Sequence, residues 1–262
     1  MKLKIFQVDA FATKVFEGNP AAVCPLTAWL EDDILQKIAE ENNLSETAFF
    51  VNTADDIELR WFTPLKEVDL CGHATLACAH VLYEHLNFDK AQINFQTKSG
   101  KLVVTKTSSG FSMDFPATVP TVLAANIPAD LLAGLANVQP SKVMAAFDYI
   151  IVLNSEEEVK NFTPDLSKWL TIGLRGVVVT AQGNEVDFVS RCFFPKLRVN
   201  EDPITGSAHC ELTPYWSTVL KKTSLKARQL SSRSGIISCE LAKDRVILTG
   251  NAVDYMSGEI TI

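Results

Sequence analysis

Little in this sequence can staple it, carry it through a bilayer or chelate a metal through thiols. Six cysteines are spread over its 262 residues, at Cys24, Cys71, Cys78, Cys192, Cys210 and Cys239, and none belongs to a CxxC pair. A structural zinc site therefore finds no support. No apolar run is long enough to cross a membrane, and Met1-Lys2-Leu3-Lys4-Ile5 does not open like a secretory signal. The expectation is a cytoplasmic protein with reduced thiols rather than a disulfide scaffold. Positive charge is also short. The 24 Lys and Arg stand against 31 Asp and Glu, a net charge of −7, which argues against nucleic acid as a partner. A small acidic ligand stays open, because local amides and histidines decide its binding. There is no low-complexity segment.

What is present suits a folded core. Hydrophobic residues make up 47% and charged residues 21%, an ordinary balance for a globular chain that buries its core without cross-links. The length fits one large or two small domains. Lys2 to Val8 alternates as a half-buried strand does, Phe16 to Pro20 reads as a turn, and Ala21 to Cys24 resumes a strand. Apolar Ile34, Leu35, Ile38 and Ala39 have helical spacing, and Asn42-Asn43 ends that helix. Ile57 to Phe62 is a further strand, and Ile93 to Gln96, Leu102 to Thr105 and Phe111 to Phe115 form a meander. The Pro-, Ala- and Thr-rich stretch Pro116 to Pro128 marks a lobe boundary.

Beyond it, Ala129 to Leu135 is a short helix, Val143 to Leu153 a buried strand region, and Ser155 to Leu170 holds a charged helical surface segment. Gly176 to Ala181 and Val186 to Phe194 are strands. Three more are expected at Gln229 to Ser232, Ile236 to Leu241 and Arg245 to Thr249. Val253 to Ile262 closes the chain with a turn at Ser257-Gly258. Strands outnumber helices, and each half has one long, largely apolar helix. The expected fold is α+β, with two similar lobes, each a barrel-like curled sheet around a central helix. One lobe covers residues 1–116, with 250–262 returning to it, and the other covers 117–249.

Two stretches share a pattern. Asn200 to Cys210 reads N-E-D-P-I-T-G-S-A-H-C, and Pro203 keeps a helix from starting before Thr205-Gly206-Ser207. Asp69-Leu70-Cys71-Gly72-His73-Ala74-Thr75 likewise runs from an acid through a glycine into helix formers, Leu76 to Leu86. A helix start of small residues exposes free amides and the positive end of the dipole, which suit a carboxylate or phosphate. Asp202 and His209 flank the second start with groups that can carry protons, and His73 stands in the first. Either stretch alone is an ordinary helix N-cap; the repetition, with titratable residues at matching places, favours a site. Glu46 enters a strand beside Phe49 and Phe50. A carboxylate in apolar surroundings can serve as general acid or base near neutral pH, although alone it reads as a surface residue. His73 and His80 share a helix face and Glu46 and Asp69 might join them, but the spacing is not that of a metal site. His80 and His85 read as surface or satisfied core residues.

These residues, in this order, resemble the PhzF-like (phenazine biosynthesis) family. The resemblance covers essentially the whole chain: Gly18-Asn19-Pro20-Ala21, Asn43 to Phe49, Asp69 to Thr75, Ser190-Arg191, Glu201 to His209 and Pro214-Tyr215-Trp216. It implies the diaminopimelate epimerase fold, with the active site between the lobes. Its best-understood members isomerise trans-2,3-dihydro-3-hydroxyanthranilate without a cofactor or metal. By the resemblance, the catalytic glutamate falls on Glu46, with His73 and Asp202 as further catalytic residues. Gly72, Gly206 and Ser207 then bind the substrate. A small carboxylic acid as ligand and a homodimer are also implied. One departure stands out: Lys196 to Asn200 lacks the glycine expected before Glu-Asp-Pro, so the accepted substrate is expected to differ in shape.

Two rivals are set against this isomerase. A racemase or epimerase of the same fold uses two thiols. Cys71 stands where one would, but Thr205 occupies the matching place and Cys210 lies too far along. A non-catalytic small-ligand-binding protein is the other, and it sits poorly with a complete set of the family's reactive residues.

Overall fold

The computed structural model describes residues 1–53, 56–136 and 138–262. In chain order the first elements are β1 (Lys2–Ala10), β2 (Asn19–Leu26), α1 (Asp32–Asn42), β3 (Glu46–Asn52), β4 (Ile57–Phe62), β5 (Glu67–Val68), α2 (Gly72–His85), β6 (Gln92–Thr97), β7 (Gly100–Thr107) and β8 (Gly110–Pro116). There follow β9 (Thr121–Val122), α3 (Ala129–Ala133), β10 (Lys142–Ala145), β11 (Tyr149–Val152), α4 (Glu156–Asn161), β12 (Val177–Gln182), β13 (Phe188–Phe194), β14 (Val199–Asp202), α5 (Gly206–Leu220), β15 (Ser224–Gln229), β16 (Gly235–Ala242), β17 (Arg245–Gly250) and β18 (Ala252–Thr261). The chain divides into two compact units, Met1–Asp114 with Thr249–Ile262, and Phe115–Leu248. Among the described residues no helix is long and apolar enough to cross a membrane.

In the first unit the strands run β18–β1–β2–β3–β4–β6–β7–β8. Neighbours are antiparallel except β2 with β3 and β4 with β6. Alternation along the strands gives the sheet two apolar faces. Ile5, Cys24, Leu26, Phe49, Val51 and Phe62 gather Leu35 and Ile38 of α1 on one of them. The other carries Phe6, Val8, Val23 and Phe50, all buried, and α2 packs on β1, β2, β3 and β18. Every residue from His73 to Leu82 is buried. A helix covered all round is core, not surface, and that explains its lack of a polar face.

In the second unit the order is β9–β10–β11–β12–β13–β15–β16, with β14 also paired to β13. On the outside, Leu131 of α3, Val159 of α4 and Trp169 close over Val177, Val179, Val189 and Phe193. The central helix is α5, buried from Ala208 to Pro214. Pro214 has no N–H to give the Cys210 carbonyl, and the amide of Thr118 fills that place at 3.1 Å. A proline inside a buried helix is thus tolerated because the chain supplies another donor.

Two expectations fail. The strand placed at Gln229 to Ser232 is instead β15, Ser224–Gln229. The α5 helix stops at Lys221 in a left-handed conformation (φ 54°, ψ 43°), and the polar residues that follow alternate with buried Leu225 and Ala227. The Ser257-Gly258 turn does not form. Both residues lie inside β18, opposite Phe6 and Ile5 of β1, so a nine-pair ladder overrides local turn preference. The buried region Val143 to Leu153 is two strands, β10 and β11, in a tight antiparallel pair. The missing glycine before Glu-Asp-Pro also has a visible counterpart: Arg198 holds the left-handed backbone (φ 60°, ψ 21°) that glycine adopts without strain.

Candidate active site

Glu46 is the first residue of β3, and His73 is the second residue of α2. The first unit brings these two together. Glu46 Oε2 and His73 Nε2 stand 3.1 Å apart, with both side chains largely buried. The approach is close enough for an ion pair but off line for a hydrogen bond, since neither atom has a partner in that sense. On the other side of the ring, Nδ1 lies 3.5 Å from Cys71 Sγ and 3.4 Å from the side-chain amide of Asn19. Burial by itself would lower the His73 pKa, but Cys71 and Glu46 outweigh it and hold the pKa well above the usual imidazole value. Burial, reinforced by Glu46, raises the Cys71 thiol, so Cys71 stays protonated and neutral. The charge that matters to His73 near neutral pH is therefore the Glu46 carboxylate. Glu46, Cys71 and His73 put one ligand atom each within 4.8 Å of one another. An un-ionised thiol makes that trio a poor metal site, because it must lose a proton to ligate.

In the second unit, β14 ends at Asp202 and α5 begins at Gly206. The Thr205 hydroxyl donates to Asp202 Oδ2 at 2.5 Å, and Gln229 clasps the turn. Gln229 Oε1 accepts from the Thr205 amide at 3.0 Å, and its Nε2 donates to the Asp202 carbonyl at 2.7 Å. Ser207 Oγ accepts from Arg175 Nη2 at 2.9 Å, which leaves its own O–H free to donate. Arg175 makes a two-pronged pair with Asp148, at 3.0 and 2.5 Å. Beneath it, one turn along α5 from Ser207, lies Glu211. Burial and then the neighbouring Asp148 raise its pKa to about 8, so it carries a proton at neutral pH.

Both helices start alike. Cys71 (φ −146°, ψ 109°) and Thr205 (φ −119°, ψ 98°) are extended N-cap residues, and neither side chain caps a first-turn amide. At α4, in contrast, the Ser155 hydroxyl accepts from the Glu158 amide. The first turns of α2 and α5 thus keep amides open to an anion. Gly72, Gly206 and Ser207 line those turns and are partly exposed.

One expected proton carrier is corrected. His209 is fully buried, its Nδ1 lies 2.8 Å from the Thr205 carbonyl, and burial lowers its pKa to about 4. It is a neutral core histidine donating to a helix carbonyl, unable to shuttle protons with solvent. Arg175, Asp148 and Glu211 went unnoticed in the sequence. They come from three separate segments, and only Glu211, an acid on the apolar helix that starts at Gly206, left any trace.

Known proteins resemble this chain along nearly its whole length. The family model for phenazine biosynthesis-like proteins (PhzC–PhzF) matches residues 8–258. The chain is 50% identical to an uncharacterized isomerase of Pseudomonas aeruginosa, over 99% of each chain. It is 46% identical to an uncharacterized isomerase of Halalkalibacterium halodurans, over 100% of each. A crystal structure of a PhzF-family phenazine biosynthesis protein from Enterococcus faecalis superposes with a TM-score of 0.96 at 46% identity, covering 100% of both chains. A hydroxyproline epimerase from Agrobacterium vitis shares the fold, with a TM-score of 0.58 at 10% identity over 99% of this chain and 92% of that one.

Proposed function

This chain is an isomerase of the phenazine biosynthesis-like (PhzC–PhzF) family, and we propose that it moves a proton on a small amino- or hydroxy-carboxylic acid without a cofactor, with Glu46 as general acid and base. The observation that carries this reading is the Glu46–His73 pair, 3.1 Å apart at the start of α2. At that distance the Glu46 carboxylate can accept a proton with the His73 ring beside it. His73 then neutralises the site as Glu46 takes a proton from one carbon, and Glu46 returns that proton to another. No covalent bond to the protein is needed.

The second unit's part is proposed from its own geometry. Ser207 keeps a free O–H beside Arg175 and the open amides of α5, a set suited to a carboxylate. Asp202, fixed by Thr205, can orient an amine or hydroxyl. The two-thiol alternative meets two obstacles: the Cys71 thiol is raised, and its counterpart Thr205 spends its hydroxyl on Asp202. A general acid–base group of this kind contributes roughly 10²- to 10⁴-fold. Glu46→Gln is expected to lower kcat by about that factor while KM changes little. Unchanged kcat in a folded Glu46→Gln variant would remove Glu46 from the chemistry.

A further inference from the structure

Away from Glu46 and His73, the other end of α2 presents a second group of ligating side chains. His80 Nε2 and His85 Nε2 both converge on Asp254 Oδ1 of β18, at 3.1 and 2.9 Å. All three ligand atoms lie within 4.8 Å of one another.

The carboxylate is there because of a bulge. The β1–β18 register runs Gln7 opposite Met256 and then Val8 opposite Asp254, so Tyr255 is an extra residue. In an unbroken register Tyr255 would stand opposite Val8 and Asp254 opposite Asp9, on the Gln7 face of the sheet. With the bulge, Asp254 stands opposite Val8, on the face that carries Phe6 and packs on α2. A bulge that re-aims one side chain is a recurrent device beside functional groups. The two rings are also held in place. His85 packs on Phe6 with ring centroids 4.6 Å apart, and His80 meets Phe111 edge-on at 6.2 Å. His80 is mostly buried, with 11% side-chain exposure, while His85 and Asp254 open to solvent at 29% and 46%.

We propose that His80, His85 and Asp254 form a binding site for a borderline divalent cation of the zinc class, with at least one coordination position left to solvent. Two imidazoles and one carboxylate are the ligand types such ions take when a position stays open. Ligand atoms around a tetrahedral ion at ordinary bond lengths are about 3.3 Å apart, so the two nitrogen–oxygen separations need to widen only slightly. On binding, each imidazole gives up the Nε2 proton that faces Asp254, by shift to Nδ1 through solvent or by release to water, and turns the freed Nε2 lone pair to the ion. The last turn of α2 adds its negative dipole end, which favours a cation. The ion would tie β18 to the central helix. None of its ligands belongs to the proton-moving set, so the proposal stands apart from the catalytic reading.

The test uses the full chain after chelator treatment. Zinc(II) is titrated by calorimetry and cobalt(II) by visible absorption, for the wild type, His85→Ala, Asp254→Asn and Cys71→Ala. The expected result is one ion per chain and a tetrahedral or five-coordinate cobalt spectrum without a thiolate charge-transfer band. Affinity should fall at least about tenfold in His85→Ala and in Asp254→Asn and hold in Cys71→Ala. At a hundredfold excess of zinc over the wild-type Kd the unfolding equilibrium constant should drop about a hundredfold in the wild type and in Cys71→Ala, and by at least about tenfold less in His85→Ala and Asp254→Asn. His85 and Asp254 are solvent-facing, so both variants are expected to fold. No saturable binding up to about millimolar metal would overturn the proposal, as would binding indifferent to both variants or a thiolate band that vanishes with Cys71.

Discussion

Replacing Glu211 by glutamine should make the second unit more stable near neutral pH and flatten its response to pH. Glu211 is fully buried one helical turn from Ser207, with Asp148 beside it. Burial first, and Asp148 second, raise its pKa from 4.5 to about 8. An acid whose pKa is raised on folding holds more protons folded than unfolded between those two values. Stability is therefore highest below the unfolded value of 4.5 and declines as pH rises towards about 8, by up to ~1.4 kcal/mol per pH unit. Integrated from about pH 5 to about pH 7.5, this one group removes roughly 3 kcal/mol. Glutamine keeps the shape and an acceptor for the Asp148 amide, which lies 3.4 Å from Glu211 Oε2, but has no proton to lose.

The assay is urea unfolding at both pH values, followed by tryptophan fluorescence. Trp169 and Trp216 report on the second unit, and Trp29 and Trp61 on the first. The wild type should lose roughly 3 kcal/mol more than Glu211→Gln over that interval in the second-unit signal. Parallel pH profiles for the two proteins would mean that Glu211 is ionised in the fold, and the reasoning would be refuted.

Other consequences are as direct. Cys71→Ala should keep turnover within about threefold, because an un-ionised thiol makes no base; a loss of about a hundredfold or more would restore a thiol mechanism. Arg175→Met leaves the fully buried Asp148 carboxylate without its counter-charge. Urea midpoints should report a destabilisation of about 3 kcal/mol, and Arg175→Lys, which lacks the two-pronged geometry, should recover only part of it.

The fold was legible where local chemistry and burial agree. The apolar spacing of Ile34, Leu35 and Ile38 marked α1, and the largely apolar run after His73 marked a central helix. Where they disagree, local cues misled. Ser257-Gly258 has turn chemistry, yet pairing with β1 draws it into a straight strand. Ser224 to Gln229 was missed as a strand, because polar residues separate its buried Leu225 and Ala227. At the site, Glu46 and His73 were nameable from their motifs, but their 3.1 Å approach is a contact between residues 27 positions apart (73 − 46). Arg175, Asp148 and Glu211 could not be found at all by motif. Their partnership exists only once β11, β12 and α5 are folded together, and no spacing rule encodes it. His209 shows the reverse error: a histidine in a telling motif becomes inert when burial takes its charge.

Carbon-bound hydrogen exchange in heavy water, followed by NMR, decides whether Glu46 moves a proton. The protein is incubated with a panel of small cyclic and acyclic amino- and hydroxy-acids, dihydro-hydroxyanthranilate among them, with Glu46→Gln and Cys71→Ala in parallel. Proton transfer at Glu46 predicts exchange at a carbon of at least one acid, lost in Glu46→Gln and kept in Cys71→Ala. Exchange that survives in Glu46→Gln and disappears in Cys71→Ala would contradict it and hand the chemistry to the thiol.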